Sequence, residues 1–237
     1  MRKTTMIPLG LLTLAFISLN SFILNVPDRN VVGNRNEISE LKSSSEKIPV
    51  DEFNSVAIAV TAKTYIEQGS EYRLEIETSP ETMEKIKVGV RDDKLVIEPE
   101  KPTTRIRDEI TIYIVAPDYK TVSLAGSGEL FADKKMKLEE SELKIAGSGK
   151  MHFENLRADE MKLKISGSGD INIKGDGAEE MAISIAGSGD INCTGFPVEE
   201  LEAKISGSGD CKVWVNGEIH AFIAGSGSIH YKGNPQI

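Results

Sequence analysis

Three aspartates, Asp170, Asp190 and Asp210, stand 20 residues apart, each directly after a Gly-Ser-Gly triplet. If the chain superposes those positions, their carboxylates stack at the spacing of neighbouring strands, roughly 4.8 Å. A hard cation such as Ca²⁺ would relieve the repulsion in such a row, and so would plain solvent on an outer turn. Glu129, Lys150 and Ser228 fill the same place after other triplets. Calcium-binding β-rolls are written in a shorter repeat with their own signature. The expected reading is therefore a column of solvated turn residues, with no metal or cofactor assigned. A second acidic series, Glu139–Glu140, Asp159–Glu160, Glu179–Glu180 and Glu199–Glu200, precedes the triplets by seven and eight places. In register it forms a ridge, offset by nearby Lys144, Lys164 and Lys204. Salt or divalent ions should stabilise a fold that carries such a ridge, because unscreened like charges oppose compactness. Trp214, the single tryptophan, falls on the outward phase with His152 and His230. It can stack on a sugar, or it can cover a neighbouring strand. Asp170, Asp190, Asp210 and Trp214 are the candidate binding residues.

Other chemistries find less support. The three histidines are scattered, and neither a Ser/His/Asp set nor a metal-ligand spacing is written. An enzyme needs acid, base and charge-stabilising groups converging in a cleft. Polysaccharide lyases and hydrolases do occur on β-helices, so that class is the alternative to weigh, and it is not preferred. The glycines do not open a helix after a strand, which a phosphate-cradling loop requires. A net charge of −9 argues against a nucleic-acid surface. Two cysteines, Cys193 and Cys211, are too few for a disulfide scaffold.

The elements that would position these residues announce themselves by repetition. The triplets begin at Gly126, Gly147, Gly167, Gly187, Gly207 and Gly225 and close at Gly128, Gly149, Gly169, Gly189, Gly209 and Gly227. The steps are 21, 20, 20, 20 and 18 residues. Apolar residues stand two and four places before each first glycine, as at Ile165 and Leu163, and four and six places after it, as at Ile171 and Ile173. Polar residues fill the places between. Period-2 alternation on both sides of the triplet is the mark of half-buried strands. Each unit then reads strand, Gly-Ser-Gly corner, strand, second turn, and only a stack of such units can bury its apolar face. The expected fold is all-β: a parallel β-helix, or β-solenoid, of about 20-residue coils. A stack of antiparallel hairpins is the alternative. The triplet is expected to make the corner, because glycine adopts backbone angles costly to other residues. The small residue before each triplet (Ala125, Ala146, Ser166, Ala186, Ser206, Ala224) should fit the same tight space. Each central Ser can bond backbone or form a ladder with its equivalents. In this register Cys193 and Cys211 point inward but are staggered by two positions, too far for disulfide geometry.

Three regions follow. Residues 1–24 pair a basic start, Arg2 and Lys3, with the uncharged run Met6–Leu24. That is the form of an export signal, or of an N-terminal anchor if retained. Residues 25–47 are polar and unpatterned, and are expected to be a flexible linker. Residues 48–237 form the β domain, with irregular opening strands over 48–121 and triplet repeats over 122–237. The "RDDK" at 91–94 should be a turn between two strands.

The "GSGDIN" at 167–172 and 187–192, the "EQGSEYRLEIE" segment and the "GSGSIHYKG" end resemble the head GIN domain family of autotransporter adhesins over roughly residues 48–237. The resemblance implies a β-helical fold, an envelope location and an adhesion role, and it supplies no catalytic residues. Neither membrane-barrel strands nor a coiled-coil stalk is written here, so self-export and a trimeric stalk are not expected. The functional expectation is a non-enzymatic, exported envelope protein (periplasm, outer membrane or cell surface) acting as an adhesin-like surface or interaction module. Its partner would be a surface glycan or protein, and its membrane contact only the N-terminal segment. A purely structural envelope component is the alternative. Exposed edges at the ends of the stack would permit oligomers.

Overall fold

The computed structural model describes residues 44–237. The expected signal or anchor at 1–24, and the linker as far as residue 43, lie outside the described residues. The first strand, β1 (Ser44–Ile48), opens inside the stretch read as linker and pairs antiparallel with β4 (Arg73–Thr78).

The triplet region is a parallel solenoid. Strands β8 (Thr121–Gly126) and β9 (Glu129–Ala132) are followed by β10 (Met136–Gly147), β11 (Lys150–Gly167), β12 (Asp170–Gly187), β13 (Asp190–Gly207), β14 (Asp210–Gly225) and β15 (Ser228–Lys232). Each pairs in parallel with the equivalent segments of its neighbouring coils, and β15, the last, pairs with β14 alone. Parallel pairing excludes the antiparallel hairpin stack. Gly147, Gly167, Gly187 and Gly207 fall in one column, as do Ile145, Ile165, Ile185 and Ile205. The second turn of each coil interrupts the ladder only briefly, as register shifts between Phe153 and Arg157 or between Asn172 and Ala178.

The two glycines of each triplet work differently. The first has positive φ in every coil, for example +132° at Gly147. There it turns the chain so that the N–H of the following Ser donates to the first glycine carbonyl of the previous coil. Ser148 to Gly126, Ser168 to Gly147 and Ser188 to Gly167 are each 2.8 Å. The second is held by crowding: a Cβ on Gly169 would stand 2.5 Å from the Gly149 oxygen and 2.6 Å from Ile145 Cγ2. The serine side chains themselves face solvent, so the column is a backbone ladder. The small residues before the triplets need a correction. Ala146, Ser166, Ala186, Ser206 and Ala224 are exposed, because alternation sends Ile145 and its equivalents inward and these outward. The crowding falls on the glycines instead, on the second of each triplet and, from Gly147 onward, on the first as well.

The opening segment holds two further coils without a triplet. Strands β2 (Ser55–Ile58) and β3 (Lys63–Gln68) sit above β8 and β9, with Val56 over Val122 and Thr64 over Leu130. Strands β6 (Lys94–Pro99) and β7 (Thr111–Ala116) in turn sit above β2 and β3. The chain therefore lays down its second coil outside its first, then returns below both. That end is closed by antiparallel strands, β5 (Ile86–Arg91) on β6 and β4 on β7. Between β4 and β5 lies one helical turn, α1 (Pro80–Met83), whose entry Ser79 caps by accepting the Thr82 N–H. The β5–β6 turn is the expected one, with Asp92 and Asp93 at positive φ.

Aliphatic columns fill the interior, and burying each Ile or Leu is worth about 1.5–3 kcal/mol relative to leaving it exposed. Tyr119 is fully buried between β7 and β8, and its hydroxyl reaches the Glu67 and Ile114 carbonyls at 2.8 and 3.2 Å. Cys193 and Cys211 are buried, unbonded thiols, facing Val213 and Ile191 rather than each other.

Candidate functional site

The first two strands of every coil alternate inward and outward residues, so each outward position becomes a column running along the stack. Three positions after the first glycine stand Glu129, Lys150, Asp170, Asp190, Asp210 and Ser228, in register as expected. The three carboxylates are held by their own neighbours. Asp170 Oδ2 lies 3.3 Å from Lys150 Nζ. Asp190 Oδ1 accepts the Asp210 N–H at 2.8 Å, and Asp210 Oδ1 accepts the Ser228 N–H at 3.1 Å and hydroxyl at 2.6 Å. The Ser228 hydroxyl bond is the main cause holding the Asp210 carboxyl below the usual aspartate range, with Lys212 and His230 adding to it. The row relieves its repulsion by hydrogen bonds and one lysine. Among the described residues no group of three or more His, Cys, Asp or Glu is placed to hold a metal ion.

Trp214 lies on the same outer face of β14, beyond Lys212. Lys232 Nζ stands 3.9 Å from its ring centroid, a cation–π contact, and its Nε1–H donates to Asn216 Oδ1 at 3.1 Å. Its strand neighbour on the previous coil is Pro197. One face of the ring is thus occupied by Lys232 from the next coil.

Between the Asp column and Trp214 runs a column that sequence reasoning missed. Five places after the first glycine stand Phe131, His152, Asn172, Asn192, Lys212 and His230. The two coils without triplets extend it upward through Tyr65 and Tyr113. The four rings stack: Tyr113 on Tyr65 at 5.4 Å, Tyr65 on Phe131 at 5.5 Å and Phe131 on His152 at 5.2 Å between centroids. Interplanar angles of 12–27° mean that the rings cover one another's faces and present their edges to solvent. Lys63 Nζ lies 5.7 Å from the Phe131 centroid, and the Tyr113 hydroxyl bonds Glu77. Desolvation raises the Tyr113 hydroxyl above its ordinary pKa, and the nearby Glu77 carboxylate adds to that. Phe131 and His152 share a triplet offset in the sequence and could have been found. Tyr65 and Tyr113 have no triplet to align on.

The Glu ridge also forms, on another part of each coil. Glu140, Glu160, Glu180, Glu200 and Glu218 are consecutive partners in the ladder. Beside them Glu142 pairs with Lys144 and Lys164 at 2.5 and 2.8 Å. Burial would raise the Glu142 carboxyl, but the two ammonium groups together outweigh it and hold it below the usual range. A shallow groove of about 370 Å³ runs along this ridge and another of about 250 Å³ along the Asp and Asn columns. Asp108, Glu202 and Asp210 are likewise lowered, through hydrogen bonds to hydroxyl or ammonium partners. These carboxylates are ionised at neutral pH and none of them is poised as a proton donor. Among the described residues no helix is long and apolar enough to cross a membrane.

Known proteins give this geometry a context. The family described as "Putative auto-transporter adhesin, head GIN domain" matches residues 52–235. A "putative adhesin" from Bacteroides fragilis superposes with a TM-score of 0.75 at 25% identity, covering 82% of this chain and 90% of that one. A "putative lipid binding protein" from Parabacteroides distasonis (TM-score 0.67, 21% identity, 82% and 91% covered) shares the fold. So does a "putative adhesin" from Parabacteroides merdae (TM-score 0.60, 24% identity, 83% and 91% covered). No match is found among curated proteins.

Proposed function

The chain belongs to the head GIN domain family of adhesin-like proteins, and from that premise we propose that it is a non-enzymatic, exported interaction module of the cell envelope. Its binding face is the outer surface that carries the aromatic, Asn and Asp columns. The carrying observation is the Tyr113–Tyr65–Phe131–His152 stack, which continues as Asn172 and Asn192 and is flanked by Asp170, Asp190 and Asp210. Ring edges over four successive coils, continued by amide and carboxylate groups over the next ones, suit an extended surface glycan laid along the stack. A protein strand on the same face is the competing partner. Export rests on the basic start and the uncharged run Met6–Leu24.

A structural reading has one observation in its favour. Each stacked aromatic pair is worth about 0.5–1.5 kcal/mol beyond its burial, so the ladder could serve cohesion alone. Glycan-array and polysaccharide-binding measurements on the full chain, beside Tyr65→Lys and Phe131→Lys, separate the two. The adhesin reading expects glycan binding that both variants abolish while the fold survives. Binding by none of the three proteins, with only a lowered melting temperature in the variants, leaves the structural reading.

A further inference from the structure

The two ends of the solenoid are finished differently. At the β6–β7 end the outermost strands are antiparallel and guarded. β1 exposes Ser44, Ser45, Glu46 and Lys47, and β5 exposes Lys87 and Arg91. Charged and polar residues on a free edge are what keep one sheet from pairing with another.

The opposite end has no such guard among the described residues. β14 pairs with β13 as far as Gly225, but β15 covers only Asp210–Trp214 of its other edge. Gln236 adds a bridge at Glu218 and bonds to Gly217 and Ile219. From His220 to Gly225 the outer edge of β14 has no strand partner among the described residues. Two core columns also end here in exposed side chains that their equivalents bury. Ile223 is 41% exposed where Ile145, Ile165, Ile185 and Ile205 are at most 2%, and Tyr231 is 49% exposed where Phe153, Ile173, Cys193 and Val213 are at most 2%. The outward column changes character at the same coil. Lys144, Lys164, Ser184 and Lys204 give way to Phe222, 63% exposed. A terminal coil left to water needs a polar outer face, and this one replaces a lysine column with phenylalanine.

We propose that this edge is a self-association surface, on which two copies of the chain pair β14 with β14 in antiparallel fashion, tail to tail. The sequence of the edge, "HAFIAG" at 220–225, complements itself about Phe222. Ala221 of one copy falls opposite Ile223 of the other, small against large, so each chain closes the other's open core. His220 falls opposite Ala224, which leaves no like charges facing across the pair. The guarded edges of β1 and β5 cannot receive this strand, so head-to-tail growth is blocked. The contact is isologous and stops at a dimer. This inference does not depend on what the lateral face binds.

The test is the mass of the full chain by light scattering over a dilution series, beside Phe222→Lys, with circular dichroism to confirm the fold. Lys is the residue of this column in three other coils, so the substitution keeps the coil. The expected result is a dimer whose mass falls twofold in the variant. Phe222→Cys then reports the register under mild oxidation, because the two-fold places the new thiols opposite each other. Ser184→Cys, in the same column two coils inside, is the control. A wild-type monomer at every concentration overturns the proposal. So does a dimer that survives Phe222→Lys, which assigns association to another surface or to the N-terminal run. Equal cross-linking of the two cysteine variants overturns it as well.

Discussion

Replacing Gly147 by alanine tests the account of the corner most directly. Gly147 has φ of +132°, and an added Cβ would stand 2.5 Å from the Gly126 oxygen and 3.0 Å from the Gly126 nitrogen. Both obstacles are backbone, so no rotamer can yield. The same Gly126 oxygen accepts the Ser148 N–H at 2.8 Å, so the methyl group also presses on a corner hydrogen bond. Holding an L-residue in that conformation costs about 1–3 kcal/mol, and overpacking against fixed neighbours costs about 1–3 kcal/mol more. The expected destabilisation is about 3 kcal/mol, or roughly 6–12 °C in Tm for a domain of this size. Two substitutions serve as controls. Ser148→Ala keeps the N–H bond and removes only an exposed hydroxyl, so it should stay within about 0.5 kcal/mol. Gly89 lies in strand β5 at negative φ with nothing within 4 Å of an added Cβ. Gly89→Ala should therefore stabilise by about 0.4–1 kcal/mol through the unfolded chain. Urea unfolding followed by circular dichroism and by Trp214 fluorescence gives the three values. In a stack held by nearest-neighbour contacts, Gly147→Ala should also separate the two transitions, because Trp214 reports coils beyond the lesion. A Gly147→Ala protein within about 0.5 kcal/mol of wild type would mean that the corner tolerates a Cβ and would reduce the triplet to a flexible loop.

Three further outcomes follow from single groups. Thr64 Oγ1 is buried without a hydrogen-bond partner, and Thr64→Val keeps the shape while removing the unmet hydroxyl. It should raise stability by about 1 kcal/mol in the same urea assay. Burial pushes the Cys211 thiol up to about 12, and burial, with Cys211 nearby, raises Cys193 well above 9.0. Both should therefore resist a thiol reagent at neutral pH and react together once the fold is opened, whereas rapid labelling of the native protein would contradict the packing. Glu142 has a lowered folded pKa, so its contribution is present above the ordinary Glu value of 4.5 and is lost as pH falls through the folded value. Glu142→Gln should make the stability profile flatter across that acid range and change little above it; an unchanged acid limb would remove Glu142 from the ledger of acid-sensitive groups.

Much of this was legible along the chain. Alternation around each triplet placed Ile145, Ile165 and Ile185 inside, put Asp170, Asp190 and Asp210 in one column, and kept Cys193 from facing Cys211. Those conclusions need only period 2 and a constant step, both local properties. The exposure of Ala146 and its equivalents is written in the same alternation, which small side-chain size does not override. The aromatic stack was half legible. Phe131 and His152 share an offset from their glycines, while Tyr65 and Tyr113 enter the column only because β2–β3 and β6–β7 are themselves coils.

The repeat unit, the inward and outward faces, and the need for glycine at the corners can be read along the chain, because each follows from backbone sterics and the pleat of a single strand. The order of the coils comes from long-range packing alone. The chain places β6–β7 outside β2–β3 and then returns to β8, so spatial neighbours there are not sequence neighbours, and no local pattern encodes which parallel edge a strand will choose. Long-range packing likewise decides which end stays open. The guarded rim of β1 and β5 and the bare edge from His220 to Gly225 are each made of ordinary strand residues, and their difference exists only once the stack has a top and a bottom.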